Sequence, residues 1–136
     1  MKVFLDTSAL VGYYNEDDTL HEDAAKAMEK FLSGEIPLTK FYTSDYVFDE
    51  VLTIFECALK RHDLAVRIGE ALQTSPRISI LKVDDETFHS SWKLFVSEKG
   101  LSFTDCTSFA LIKALGIQAA FTFDRHFKRS GVRIIP

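Results

Sequence analysis

The chain has 136 residues, of which 46% are hydrophobic and 26% are charged, so it can form one folded domain but not two comfortable ones. Its formal net charge of −4 argues against a protein that holds nucleic acid through bulk positive charge. It does not exclude a nuclease, because an acidic metal site would itself contribute several negative charges. We therefore expect a single domain over residues 1–136.

Cysteine spacing and hydropathy narrow the class of protein further. Cys57 and Cys106 show no CxxC or Cys/His spacing, so we expect no structural zinc site and interpret both as buried free thiols. No apolar run approaches the roughly 18 residues of a membrane span. The N-terminus enters an apolar strand without a charged leader, so we expect a cytoplasmic protein without membrane contact.

Short apolar runs alternate with amphipathic segments along the chain. The run at residues 2–5 is apolar on both faces, which is typical of a central parallel strand. In chain order the pattern predicts strand 2–5, helices 6–14 and 19–32, strand 41–43, helices 44–61 and 63–73, strand 78–83, helices 84–98 and 102–115, and strands 119–123 and 132–135. Strands that alternate with helices predict an α/β fold with a parallel sheet covered on both faces.

Four carboxylates occupy positions where parallel α/β folds place functional side chains. Asp6 and Asp124 each follow a predicted strand directly, and ligands of such sheets bind outside the carboxyl ends of the strands. Asp105 lies in the first turn of a helix, where the helix dipole favours an anion. Glu50 lies near the start of another helix and borders its apolar stripe. These positions permit the four side chains to converge at one edge of the sheet.

A carboxylate cluster of this kind suits Mg²⁺ or Mn²⁺, because these ions prefer oxygen ligands. A bound ion lowers the pKa of water to give a nucleophile and offsets the charge on an attacked phosphodiester, and two ions about 4 Å apart can serve both the attacking and the leaving oxygen. Four carboxylates and two divalent ions form a neutral set, whereas the metal-free cluster would repel a phosphate. We expect one or two ions and strict metal dependence.

Each acid also has a purely structural interpretation. Asp6 and Asp124 could open a turn or cap a helix. Ser102 and Asp105 have the spacing of a capping box, and Glu50 could belong to a solvated helix face. Spacing alone leaves both interpretations open.

Four segments resemble, in order, the motifs of the PIN-domain nucleases. They are residues 4–10 (FLDTSAL), 43–53 (TSDYVFDEVLT), 101–106 (LSFTDC) and 122–127 (TFDRHF). No single segment is decisive, but the ordered set spans nearly the whole chain. The small size, without added domains, resembles the VapC-type toxins of prokaryotic toxin–antitoxin pairs.

This resemblance implies a single PIN-like domain with a five-stranded parallel sheet sandwiched between helices. It implies an Mg²⁺- or Mn²⁺-dependent endoribonuclease with an RNA substrate, a homodimer, and a small antitoxin that blocks the acidic pocket. Asp6 and Asp105 match the central metal ligands of the family. Glu50 and Asp124 match the residues that complete the site, Asp124 either directly or through water.

Several further residues are assigned by the resemblance or by local composition. Ser8 matches a position whose hydroxyl supports the family's site, and Thr122 is a second candidate for that role. A basic cluster directly after Asp124 could guide an RNA backbone or could be ordinary solvated surface. Its members are Arg125, Lys128, Arg129 and Arg133.

Other side chains are not assigned to the site. The four histidines show neither an HExxH nor a triad pattern, so we expect none of them to be catalytic. Phe88, Trp92 and Phe95 keep helical spacing and are interpreted as core. Apolar residues of the early helices are candidates for the dimer face, among them Tyr13, Tyr14 and Phe31.

Three alternative functions stay open. The first is a PIN-type nuclease of RNA maturation or turnover, which a neighbouring antitoxin gene would argue against. The second is a receiver-like signalling domain, although such a domain places a pair of acids near its first strand and the phospho-acceptor after its third. The third is a non-catalytic RNA- or protein-binding module, which would bind without metal and without turnover.

Overall fold

The computed structural model describes residues 1–37 and 40–136. Within these ranges no helix is long and apolar enough to cross a membrane. The elements in chain order are β1 Lys2–Leu5, α1 Thr7–Tyr14, α2 His21–Ser33, β2 Lys40–Ser44, α3 Asp45–Thr53, a π-helical turn Ile54–Ala58, α4 His62–Thr74, β3 Ile78–Leu81, α5 Asp85–Ser97, α6 Phe103–Leu115, β4 Ala119–Phe121, a 3-10 helix Arg125–Ser130 and β5 Arg133–Ile135.

The five strands form one parallel sheet in the order β3-β2-β1-β4-β5. β1 lies at its centre, and Val3, Phe4 and Leu5 are at most 1% exposed, because both faces of the strand are covered. The predicted α/β class with a five-stranded parallel sheet is confirmed. A receiver-like fold has the order 2-1-3-4-5, so that alternative is wrong.

The direction of the chain across the sheet reverses at β1. β2 and β3 extend the sheet on one side, whereas β4 and β5 lie on the other side. Leu5 pairs with Phe121, and the backbone N–H of Asp6 donates to the Phe121 carbonyl at 3.1 Å. Such a reversal leaves a crevice outside the carboxyl ends of the two adjoining strands. The residues that follow β1 and β4 therefore lie side by side at this crevice.

Two strands end earlier than predicted, because a side-chain oxygen accepts a backbone N–H beyond the strand end. β3 ends at Leu81, and the Val83 N–H donates to the Asp45 carboxylate at 3.1 Å. β4 ends at Phe121, and the Phe123 N–H donates to the Ser8 hydroxyl at 2.9 Å. Asp124 therefore lies three residues beyond the end of its strand.

The helices also begin or end at different residues than predicted. α2 begins at His21, after a turn in which the Asp18 carboxylate accepts the Leu20 N–H at 2.8 Å. The helix predicted over residues 44–61 is α3 followed by a π-helical turn, in which the Leu59 N–H donates to the Ile54 carbonyl at 2.9 Å. The 3-10 helix after Asp124 was not predicted, since its six residues carry no helical apolar pattern.

The interpretation of the α5 aromatic residues as core is wrong. Phe88, Trp92 and Phe95 are 49%, 53% and 41% exposed, while Ser91 on the same helix is fully buried. α5 packs on α6, and Ser91 is on its covered face. The aromatic face lies outward, where Phe88 and Phe95 contact the Phe103 ring at 5.2 and 6.1 Å between centroids. Helical spacing predicts that residues share a face, but not which face is covered.

Two smaller expectations are also corrected. Cys106 is buried, but Cys57 is exposed in the π-helical turn, and both are free thiols. Phe31 is only 2% exposed and packs on Phe41 and Phe121, so it cannot form an outer dimer face. Tyr13 and Tyr14 are partly buried against the core.

Candidate active site

Asp6 lies between β1 and α1 and is only 4% exposed. It is the N-cap of α1, with extended backbone angles, and its Oδ2 accepts the Ser8 N–H at 3.4 Å. The same oxygen accepts the hydroxyls of Ser8 and Thr122, each at 2.8 Å. Burial raises the pKa of Asp6 to about 6, and the negative charge of Asp105 adds to the rise, whereas the hydrogen bonds from Thr122 and Ser8 oppose it.

The two hydroxyls connect the end of β1 to the segment after β4. The Ser8 hydroxyl donates to Asp6 and accepts the Phe123 N–H, and the Thr122 hydroxyl donates to Asp6 and accepts the Asp124 N–H at 2.9 Å. Each hydroxyl has one proton, so the 3.2 Å approach between the Ser8 and Thr122 oxygens is a contact without a shared proton. Both predicted supporting residues therefore contact Asp6, and Thr122 also fixes the backbone of Asp124.

Asp105 is held by a capping box at the start of α6. The Ser102 hydroxyl accepts the Asp105 N–H at 3.0 Å, and Asp105 Oδ2 accepts the Ser102 N–H at 3.1 Å. Burial raises the pKa of Asp105, and the negative charge of Asp124 adds to the rise, although the Ser102 hydrogen bond and the charge of His126 oppose it. Asp105 is thus a helix cap and also a member of an acidic group.

Asp124 and His126 form the more exposed side of this group. Asp124 is the N-cap of the 3-10 helix and accepts the His126 N–H at 2.9 Å, while His126 Nδ1 lies 3.1 Å from Asp124 Oδ1. Asp105, Asp124 and His126 each have one potential ligand atom within 4.8 Å of the others. Asp6 lies outside this group of three, near enough for the charge of Asp105 to act on its pKa.

His126 is the residue near the acids that sequence analysis left unassigned. In the sequence, His126 is distinguished only by its position two residues after Asp124. This spacing indicates proximity of the two side chains only once the 3-10 helix after Asp124 is known. Asp124 caps the 3-10 helix, and in this turn the His126 imidazole lies beside the Asp124 carboxylate.

Glu50 is partly buried in α3, which packs against both α1 and α6. Among the described residues, its side chain has no hydrogen bond or ion pair, and it is not in the group of close ligand atoms. Its place in the site therefore stays a prediction that rests on the motif.

The basic cluster divides into two parts. Arg129 donates to the Lys99 carbonyl at 3.1 Å and lies 3.7 Å from the Glu98 carboxylate, so it is committed to the end of α5. Arg125 and Lys128 are exposed and have no ion pair within the part of the chain described. The role of Arg125, Lys128 and Arg129 in holding an RNA backbone stays a prediction.

The acidic group fits a cation of the oxygen-preferring class. No lysine or arginine in the described ranges pairs with Asp6, Asp105 or Asp124, and only His126 lies beside one of them. A buried carboxylate without a compensating charge is costly, and the raised pKa of Asp6 reports that cost. A divalent ion with oxygen ligands, such as Mg²⁺ or Mn²⁺, would supply the missing positive charge.

Known proteins match the chain over almost its whole length. The chain is 28% identical over 129 residues to VapC20 of Mycobacterium tuberculosis, a 23S rRNA-specific endonuclease, and the match covers 95% of this chain and 94% of that protein. The crystal structure of VapC20, described as a sarcin–ricin loop cleaving toxin, superimposes with a TM-score of 0.84 and covers 98% of this chain and 99% of that chain.

More distant structures share the fold. VapBC2 of Rickettsia felis, bound to a DNA fragment from its promoter, has a TM-score of 0.69 at 15% identity and covers 98% of this chain and 97% of that chain. DNA-bound VapBC of Salmonella typhimurium has a TM-score of 0.68 at 16% identity, with 98% and 96% covered. The family model of the PIN domain matches residues 3–132. This chain therefore belongs to the PIN domain family.

Proposed function

We propose that this protein is a metal-dependent endoribonuclease that hydrolyses RNA phosphodiester bonds at a site formed by Asp6, Glu50, Asp105 and Asp124. The observation that carries the proposal is the gathering of Asp6, Asp105 and Asp124 at the carboxyl ends of β1 and β4, without a lysine or arginine to neutralise them among the described residues. Similarity to the endonuclease VapC20 over 95% of the chain supports it.

The residues of the site have different tasks in this proposal. Asp6 would be the anchoring ligand, because it is buried and the hydroxyls of Ser8 and Thr122 donate to its Oδ2. Asp105 and Asp124 lie nearer the solvent and would hold the ion on the side from which RNA approaches. One or two bound Mg²⁺ or Mn²⁺ ions would lower the pKa of water and offset the charge that develops on the phosphate.

The first substrate to test is 23S rRNA. VapC20 acts on this RNA, and it is similar to this chain at 28% identity with 94% of its length matched. Arg125 and Lys128, exposed beside Asp124, would contact the RNA backbone without reading its sequence. The choice of RNA loop would then depend on surface shape around the site.

Cleavage is expected to require Mg²⁺ or Mn²⁺ and to stop in excess EDTA, because the uncompensated carboxylates repel a phosphate when no cation is bound. Purified protein, ribosomes and a synthetic sarcin–ricin loop RNA would be incubated with each ion and with EDTA, and the products separated on a denaturing gel. Cuts that persist in excess EDTA would contradict the proposal. So would a protein that neither cuts these RNAs nor binds Mn²⁺ in a separate titration.

We further propose that the enzyme is the toxin of a toxin–antitoxin pair. Its small size and its similarity to VapC20 support this role, and VapBC complexes share the fold. A pocket of carboxylates without a cationic partner could be blocked by a partner protein that inserts a positive side chain. A small protein encoded beside this gene, and found bound to it, would favour a toxin over an enzyme of RNA maturation.

We also propose a homodimer that buries the outward face of α5. Phe88, Trp92, Phe95 and Val96 are between 41% and 66% exposed on this face, and an apolar patch of this kind is often an interface. Trp92→Ser is expected to convert the dimer into a monomer in light scattering, whereas Val66→Ser on α4, also exposed, leaves its mass unchanged. A monomeric wild-type protein would contradict this assembly.

A further inference from the structure

We propose that His126 is a metal ligand together with Asp105 and Asp124, so that the site has a mixed carboxylate and imidazole donor set and binds Mn²⁺ in preference to Mg²⁺. This inference rests on the proposed metal site and adds a residue to it. Its basis is the group of three potential ligand atoms, one from each residue, that lie within 4.8 Å of one another.

The geometry of the Asp124 and His126 pair fits a shared cation. His126 Nδ1 lies 3.1 Å from Asp124 Oδ1. Neighbouring ligands of a six-coordinate ion with bonds of about 2.1 Å are about 3 Å apart. The pair is therefore already at the separation of two adjacent ligands of one ion.

Local backbone structure fixes this arrangement. The Asp124 carboxylate accepts the His126 N–H at 2.9 Å and begins the 3-10 helix, while the Thr122 hydroxyl accepts the Asp124 N–H at 2.9 Å. The buried Phe127 side chain, which packs on Phe109 at 4.9 Å between ring centroids, anchors the next residue of the turn. The backbone of His126 is thus held on both sides.

Exposure leaves the pair open to an ion from solvent. The side chains of His126 and Asp124 are 45% and 30% exposed, whereas Asp6 is only 4% exposed. Carboxylate oxygens suit Mg²⁺ and Mn²⁺, but an imidazole nitrogen suits transition-metal ions and is a poor ligand for Mg²⁺. Of the two ions proposed for this site, Mn²⁺ is the transition-metal ion, so the imidazole favours Mn²⁺ over Mg²⁺.

A second histidine provides a matched control. His62 Nδ1 lies 2.7 Å from Glu56 Oε2 on the surface, which resembles the His126 and Asp124 pair. Unlike His126, His62 belongs to no group of three close ligands among the described residues. A histidine–carboxylate pair alone is thus present at both positions, but a third ligand is present only at His126.

The test measures Mn²⁺ and Mg²⁺ binding by wild type, His126→Ala and His62→Ala. The free Mn²⁺ signal in electron paramagnetic resonance gives the Mn²⁺ affinity, and competition gives the Mg²⁺ affinity. His126→Ala is expected to weaken Mn²⁺ binding by about tenfold or more and Mg²⁺ binding by less than about threefold, while His62→Ala changes neither. Pulsed spectra of bound Mn²⁺ should show coupling to an imidazole nitrogen in wild type that disappears in His126→Ala.

Thermal unfolding of each variant without metal confirms that the fold is retained. Unchanged Mn²⁺ affinity in folded His126→Ala, or no nitrogen coupling in wild type, would overturn the inference and leave the proposed nuclease intact. A wild-type protein that binds no Mn²⁺ and cleaves no RNA would contradict both. The two failures are therefore distinguishable.

Discussion

Asp6→Asn is expected to reduce RNA cleavage by at least about 1,000-fold, because the loss of an anchoring charge removes several kcal/mol of cation-dependent stabilisation. The fold should be retained, since the new amide oxygen can still accept the hydroxyls of Ser8 and Thr122 that now bond to Oδ2. Initial rates on the RNA that wild type cuts, measured at saturating Mn²⁺, provide the comparison.

Asp23→Asn is the matched control for this change. Asp23 is an exposed residue in the first turn of α2, and among the described residues no hydrogen bond or ion pair joins it to the acidic group. Its substitution should leave the cleavage rate within about twofold of wild type, consistent with the small effects of surface changes. Near-normal cleavage by folded Asp6→Asn would exclude Asp6 from the chemistry.

The metal-free protein is expected to lose stability as the pH rises from about 4 to about 6, and Asp6→Asn should remove most of that loss. Burial raises the pKa of Asp6 from 3.8 to about 6, so the folded protein binds this proton more tightly than the unfolded chain does. The favourable contribution of protonated Asp6 is therefore fully present below about pH 4 and is lost as the pH rises through about 6. Such a shift corresponds to about 3 kcal/mol.

Urea unfolding in EDTA measures this effect at pH 4.5 and pH 7.5 in wild type and Asp6→Asn. The stability of Asp6→Asn relative to wild type should increase between the two pH values by about 2 kcal/mol. Equal pH dependence in the two proteins would mean that Asp6 ionises normally in the fold. Added Mn²⁺ at about 100 times its dissociation constant should restore about 2.7 kcal/mol to wild type at pH 7.5 and much less to Asp6→Asn.

The fold could be predicted because its central strand is apolar on both faces. Val3, Phe4 and Leu5 form a short run that only a central parallel strand buries on both faces, and they are at most 1% exposed. Strand ends could not be predicted, because the Val83 and Phe123 N–H groups bond to distant side chains. The prediction that the aromatic face of α5 is buried was wrong for a related reason. Which face of α5 is covered depends on how α6 packs against it.

The site was predictable in part. Asp6 directly follows β1, and because β1 pairs with β4, Asp6 lies at the crevice beside Thr122. For Asp105 the structural and the functional interpretations are compatible, because the capping box uses Oδ2 and fixes the side chain that faces Asp124. The proximity of His126 to Asp124 could not be predicted from the sequence. It depends on a 3-10 helix that no apolar pattern in the sequence indicates.

The sheet order also decides when during protein synthesis the candidate site can be completed. β1 comes first from the ribosome, but its partner β4 and the hydroxyl of Thr122 come more than 110 residues later. A nascent chain that carries Asp6 therefore lacks Asp105, Asp124 and β4 until residues 105–124 have been synthesised. A nuclease whose site is completed in this order would cut no RNA before β4 and the residues that follow it have been synthesised and folded.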